Sequence, residues 1–355
     1  MALVLVAACD ENADKPSEPS PKPSATASAA PVAPLKVDFS DKAMGTTVHM
    51  IAFTTPKVDE AGVRKAMVDA LAEIRRLEKL MSSWRTDSDI GRVNASAGDF
   101  VQVSPETMDV IAKSLWAGKV SEGTFDVTFE GMSKLWKFGD AAEDNPKPPT
   151  AAQVAAAKKH VDYRRVDLDR GGDRVRIGKD QRISLGGIAK GYAVDAAAKV
   201  LKKAGVTSFL VQAGGDLYGA GKKPDGSPWV SGIRDPRGSD TEFFATIELT
   251  DHAFSTAGDY ARAYIVNGKR YHHIIDPRTG FPATASRSVT VWAPDAFLAD
   301  AVDDAVFILG PDKGLELVES LDGVGAVIVD AKNEVHVSKR LKDKVVVLHP
   351  PTDGI

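Results

Sequence analysis

Apolar residues recur along this 355-residue chain with two distinct periods. From Thr46 to Phe53 (TTVHMIAF) they alternate with polar ones, the period of a half-buried strand. From Val58 to Trp84 the period changes. Val63, Met67, Leu71, Ile74 and Met81 recur at helical spacing and predict a long amphipathic helix. Residues 100–123 predict a short strand, a turn and a helix; residues 124–139 are mixed; residues 145–160 predict a loop running into a helix. The stretch 165–187 alternates around Gly171-Gly172 and predicts a hairpin. IAKGYAVDAAAKVLKKAG (188–205) predicts a helix closed by Gly205. Strands are predicted at 208–215, 228–233, 243–249, 261–266 and 286–294. LADAVDDAVFILG (298–310) then reads as buried helix, followed by strands at 323–330 and 334–338. Hairpins and helices interleave with no repeated strand–helix pair and no internal repeat. The pattern predicts an α+β fold with a largely antiparallel sheet.

The first 36 residues do not share this patterning. MALVLVAAC is a short apolar run ending in Val6-Ala7-Ala8-Cys9, which resembles a truncated bacterial signal peptide with a lipobox, a lipid being expected on Cys9. A buried structural cysteine is the plainer alternative. Residues 10–36 are rich in Pro, Ser and Ala and cannot bury enough surface to offset the entropy of ordering. They are expected to form a disordered tether, with the folded domain over 37–355. The expected location is the periplasmic side of a bacterial cell envelope, anchored through that lipid. Formal net charge is −4 and no basic run occurs, so nucleic acid is not an expected partner. No apolar stretch reaches the roughly 18 residues that span a bilayer.

Three places are candidates for chemistry. Asp300, Asp303 and Asp304 fall within an arc of roughly 100° on one helix face, with Phe307 one turn further along it. Carboxyl groups this close raise one another's pKa unless a cation is present, and a hard divalent ion is the natural partner. The alternative is that acidic residues in a first helical turn simply face water. In SLGGIAKGYAVD, Gly186 and Gly187 admit a ligand close to the backbone, and the helix start behind them offers free N–H groups to an anion beside Lys190. An ordinary strand-to-helix turn with a surface lysine would read the same. In YHHIIDPRTGFP, His273 precedes an apolar pair and a tight turn, and it has the chemistry of a general base near neutral pH. Tandem histidines are also often merely exposed.

Taken together, the motifs carry more than each does alone. AMGTTVHM, DSDIGRVNAS, TFDVTFEGMSKLWKFG, SLGGIAKGYAVD, QAGGDLYGAG, HHIIDPRTG and SVTVWAPDAFLADAVDDAVFILG occur in the order and spacing of the ApbE family. The chain resembles that family over residues 40–335. The resemblance implies a T-fold-like α+β architecture with largely antiparallel sheets and FAD in a cleft between two lobes. It implies Mg²⁺-dependent splitting of FAD, transfer of FMN to a threonine or serine of an acceptor flavoprotein in a membrane or periplasmic electron-transfer system, and release of AMP. Some family members instead hydrolyse FAD to FMN and AMP, or mainly hold flavin. By motif, Met44, Trp84, Phe125, Asp126, Val127, Ser184, Lys190, Ile274 and Ile275 would line the flavin site. His273 would deprotonate the acceptor hydroxyl, and Gly187, Asp300, Asp303 and Asp304 would surround the metal.

Two departures stand out. Asp304 occupies a position where the family usually has threonine, with Asp303 replacing a small residue, and Ser184 stands where aspartate usually precedes Leu-Gly-Gly. The expectation is a metal site with its negative charge moved onto the helix, open to Mn²⁺ or Ca²⁺ as well as Mg²⁺.

Overall fold

Eight strands pair edge to edge in the order in which they occur along the chain. The computed structural model describes residues 33–138 and 146–354; Cys9 and most of the expected tether lie outside them. The strands are β1 (Lys36–Ala43), β2 (Thr46–Phe53), β3 (Phe209–Ala213), β4 (Asp216–Ala220), β5 (His252–Gly258), β6 (Ser286–Ala293), β7 (Gly325–Asp330) and β8 (Val335–Val337). Every neighbouring pair is antiparallel. The expected α+β class with an antiparallel sheet is therefore what the chain adopts. Strand β1 escaped the sequence pattern because it is an edge strand, and its exposed Asp38, Asp41 and Lys42 mask the alternation.

Among the described residues six α-helices lie in the connections: α1 (Glu60–Met81), α2 (Asp89–Ala95), α3 (Pro105–Val120), α4 (Ala151–Lys158), α5 (Ala189–Lys203) and α6 (Ala296–Ser320). Helix α1 follows the predicted spacing, burying Val63, Met67, Leu71, Ile74, Leu77 and Met81. Its first turn is capped by Asp59, which accepts from the Gly62 N–H at 2.9 Å. Helix α2 was not predicted. It is short and starts at Ser88, whose hydroxyl takes the Gly91 N–H. The predicted hairpin exists as Asp167–Asp169 against Arg174–Arg176. No described helix is long and apolar enough to cross a membrane.

The sheet has two faces, and its period-two alternation decides which side chains meet the helices. Helices α1, α5 and α6 pack on one face. On the other, Leu217, Phe254, Trp292, Val327 and Val329 form a second core with Trp229, Phe244 and Ile247 of a three-stranded sheet. Leu217 and Phe254 point to this second core, so their neighbours Asp216 and Ser255 point to the helices. Helix α6 breaks once. Gly310 takes φ 76 and ψ −172, a glycine-only conformation, and Pro311 restarts the helix.

Candidate active site

The two helices that flank the site cap each other. Helix α5 is preceded by Ile188, an N-cap residue whose side chain makes no capping hydrogen bond. The missing acceptor comes from α6, where Asp300 Oδ2 takes the Gly191 N–H at 2.8 Å. In return Asp195 of α5 accepts from the backbone N–H groups of Ala296 and Phe297, both at 2.9 Å, at the start of α6. Burial pushes the Asp195 carboxyl up to about 6 in spite of those two bonds. Gly191 makes the close crossing possible. A methyl group there would stand 2.2 Å from the Ala296 carbonyl oxygen.

Asp300 and Asp303 do not face water. Asp300 is 2% exposed and Asp303 4%, because α6 packs against both the sheet and α5. Two further side chains complete the cluster from the sheet. Asp216, at the start of β4, is fully buried. Ser255 Oγ of β5 lies 2.7 Å from both Asp216 Oδ1 and Asp303 Oδ2. A hydroxyl has one proton to donate, so both contacts are hydrogen bonds only when a carboxyl carries a proton as well. Asp303 is the acid suited to hold it. Burial, then the charges of Asp304, Asp300 and Asp216, push its pKa well above the usual carboxylate range.

One ammonium answers these four carboxyl groups. Lys190 Nζ lies 2.8 Å from Asp216 Oδ2 and 3.4 Å from Asp300 Oδ1. Burial works against the charged lysine, but the two carboxylates outweigh it and raise its pKa. The cation at the start of α5 is thus explained by its own neighbours and needs no anionic ligand to excuse it. Burial also pushes Asp300 upward, with Asp216 adding to the effect and Lys190 opposing it. Asp304 is half-buried, and its carboxylate has no hydrogen bond or ion pair among the described residues. A methyl group on Gly187 would stand 3.4 Å from Asp304 Oδ2 and 3.5 Å from the Phe125 ring. Gly187, Asp304 and Phe125 therefore converge on one spot.

His273 follows the hairpin of Ala263–Val266 and Lys269–His272. Its N–H donates to the Arg262 carbonyl at 3.1 Å, and its Nδ1 is buried without a partner among the described residues. Burial, and then the Arg262 charge, push the ring's pKa down to about 3, so it is neutral at pH 7.

The remaining predicted residues spread around this centre. Ser184 starts the glycine turn, where its Oγ accepts from Gly186 N at 3.3 Å and its own N–H donates to Val127 O. Asp126 is taken up by structure: it accepts from Thr128 N, Thr128 Oγ1 and Tyr163 N at 2.6–2.9 Å. Met44 sits at the tip of the β1–β2 turn with φ 52. That turn adjoins the glycine turn leading to Asp216, since Gly214 N donates to Thr47 O at 3.2 Å. Ile274 packs into the main core, and Ile275 into a separate cluster with Met132, Trp136 and Val154. Trp84 is 94% exposed and stacks on no other ring among the described residues.

Asp216 and Ser255 were missed. An aspartate opening a strand that is otherwise fully buried, as in DLYGA, is the signal that marks Asp216. Nothing in HAFSTAG marks Ser255. A second group, Asp330, Glu334 and His336, gathers at the β7–β8 turn. Asp330 there accepts from the backbone of Lys332 and Glu334 and from His336, which is what a turn of this shape requires.

Similarity to known proteins bears on the same residues. A protein of Haemophilus influenzae named FAD:protein FMN transferase is 32% identical over 291 residues, spanning 80% of this chain and 83% of the relative. The crystal structure of an ApbE protein from Thermotoga maritima superposes with a TM-score of 0.78 at 31% identity, covering 87% of this chain and 99% of that one. The flavin transferase ApbE from Vibrio cholerae gives 0.76 at 27% identity, over 88% and 99%. The sequence profile of the ApbE family matches residues 44–328, from the β1–β2 turn through the aspartates of α6 and into β7. With fold, sequence and length in agreement, the chain belongs to the ApbE family.

Proposed function

We propose that this protein moves FMN from FAD onto a threonine or serine hydroxyl of an acceptor protein and releases AMP, with a divalent cation, Mg²⁺ in the first instance, held by the acidic face of α6. The transferase reading is supported by the names of its relatives. The cation is supported by one observation. Four carboxyl groups, Asp216, Asp300, Asp303 and Asp304, gather around a single ammonium, and burial together with their mutual repulsion raises the pKa of Asp300, Asp303 and Asp304. Carboxylate oxygens suit a hard divalent ion. Asp300 and Asp304 would hold it, with Gly187 beside them and Asp303 behind. When bound it would neutralise charge on the diphosphate and on the departing AMP. The extra carboxylate at position 304 also makes Mn²⁺ and Ca²⁺ competent occupants.

The chain's own groups supply the rest. The acceptor oxygen attacks the FMN-side phosphorus of FAD. As that P–O bond forms, the bond to the AMP-side bridging oxygen breaks and AMP leaves with the electron pair. The acceptor's proton would pass to His273, which is neutral at pH 7 but made a weak base by burial, so binding of the substrate's negative charge beside it would have to raise its basicity. Lys190 keeps Asp216 and Asp300 in place, and the α5–α6 crossing fixes the distance between glycine turn and acidic face.

The test is to incubate the full chain with FAD, Mg²⁺ and an acceptor bearing a surface threonine, then weigh the acceptor and assay AMP. A mass increase equal to FMN, with AMP released in equal amount, is expected. AMP with free FMN would replace transfer by hydrolysis, and intact FAD would leave a flavin carrier. We also propose a lipid on Cys9 that holds the domain at the periplasmic side of the cell envelope, resting on MALVLVAAC alone. Loss of detergent-phase partitioning in Cys9→Ala would be its signature.

A further inference from the structure

A polyanionic substrate is best met by a cation with unused hydrogen-bonding capacity, and two of the three N–H groups of the Lys190 ammonium already face carboxylates. Its ammonium is held by Asp216 at 2.8 Å and faces Asp300 at 3.4 Å, both fixed in the core. A diphosphate there would share the ammonium with Asp216 and Asp300, whose negative charge opposes its own.

Arg262 is differently placed. It directly precedes the strand Ala263–Val266, which pairs with Lys269–His272 in the register Ala263↔His272 and Tyr264↔Tyr271. Continuing that register sets Arg262 opposite His273, and the bond from His273 N–H to the Arg262 carbonyl at 3.1 Å confirms it. Opposed residues of an antiparallel pair share a face, and so do residues two apart on one strand. Tyr264 and Tyr271 demonstrate it here, their rings stacked with centroids 5.4 Å apart. Two residues along, the side chains of Arg262 and His273 return to that same face. The Arg262 charge is felt by both His273 and Asp304, so it lies near the candidate base and near the free carboxylate of the acidic face. Yet Arg262 is exposed, and its guanidinium makes no hydrogen bond or ion pair among the described residues.

We propose that Arg262 binds the diphosphate of the flavin dinucleotide, providing a cation free of carboxylates where Lys190 is shared between two. This rests on the flavin-transfer reading above. A guanidinium presents paired N–H donors that match two phosphoryl oxygens. Bound there, the diphosphate lies beside His273 and faces Asp304, so one residue orients the group to be attacked relative to the base and the acidic face.

The experiment compares the full-length protein with Arg262→Ala and Arg262→Lys, measuring affinity for FAD, riboflavin and inorganic pyrophosphate. Arg262→Ala is expected to weaken FAD and pyrophosphate by roughly tenfold to a hundredfold, as for loss of a charged hydrogen-bond partner. Riboflavin, which has the ring system and no phosphate, should bind within about twofold of wild type, and Arg262→Lys should recover part of the loss. Unchanged FAD affinity in Arg262→Ala overturns the proposal, as does a parallel fall in riboflavin affinity, which would mark a structural role. If pyrophosphate binds through Arg262 while FAD fails to bind the wild type, the flavin reading falls and the anion site stands.

Discussion

At the scale of single residues, the cluster on α6 trades stability for charge. Burial raises Asp304 to about 6 from an ordinary 3.8, with Lys190 and Arg262 limiting the rise. The folded state therefore retains protons that the unfolded chain has already released, and stability falls as pH rises from about 3.8 to 6. His273 works in the other direction. Its folded pKa of about 3 against 6.5 means that stability grows as pH rises through that range. Comparing wild type with Asp304→Asn isolates the first effect. In metal-free buffer the variant's melting temperature should gain on wild type between pH 4 and 7. With Mg²⁺ present its AMP release should drop by roughly a hundredfold or more, the scale of losing a metal contact. A variant more stable and less active would fit a site built to hold a cation. Asp300, Asp303 and Asp304 were legible because acidic residues stood inside an apolar helical stretch. Asp216 and Ser255 were not, since what makes them members of the cluster is a strand pairing and a helix crossing far along the chain.

At the scale of elements, the crossing of α5 over α6 positions the site, and glycine sets how close it is. Gly191→Ala would push a methyl group against the Ala296 carbonyl oxygen at 2.2 Å and Asp300 Cβ at 2.7 Å. Urea denaturation should register a loss of roughly 1–3 kcal/mol or more, and activity should fall with it, because Asp300 moves. Gly310→Ala is a matched control at the break inside α6. It forces φ 76 on a residue with a Cβ and brings that atom 2.8 Å from Ala285 Cβ. A loss of about 1–3 kcal/mol is expected there too, but with the metal dependence of the remaining activity retained. The periodic stretches announced α1, α3, α5 and α6 plainly. Helix α2 and strand β1 stayed hidden, the one too short to show a period and the other an edge strand whose charges interrupt it.

At the scale of the whole molecule, the sheet separates two jobs. Its helix side carries the charged cluster, and its other side carries a purely apolar core against the three-stranded sheet. Trp229 links the two sheets, buried in that core with Nε1 donating to Ala220 O at 3.0 Å. Trp229→Ala should cost about 3–5 kcal/mol in denaturation while leaving FAD affinity at low temperature within about twofold. The sequence pattern supplied the class of fold without its strand order, because alternation says which face a residue takes but not which strand lies beside it.

That strand order has a temporal side. Strand β2 takes its inner partner from β3, with Val48 opposite Ala213, more than 150 residues later. During synthesis the first hairpin emerges long before the edge that will receive it exists, and closing so long a loop is slow. Until then β2 presents an unpaired backbone to any passing strand. A chaperone that shields this hairpin, or translation quick enough to deliver β3, would then govern yield more than the finished protein's stability does.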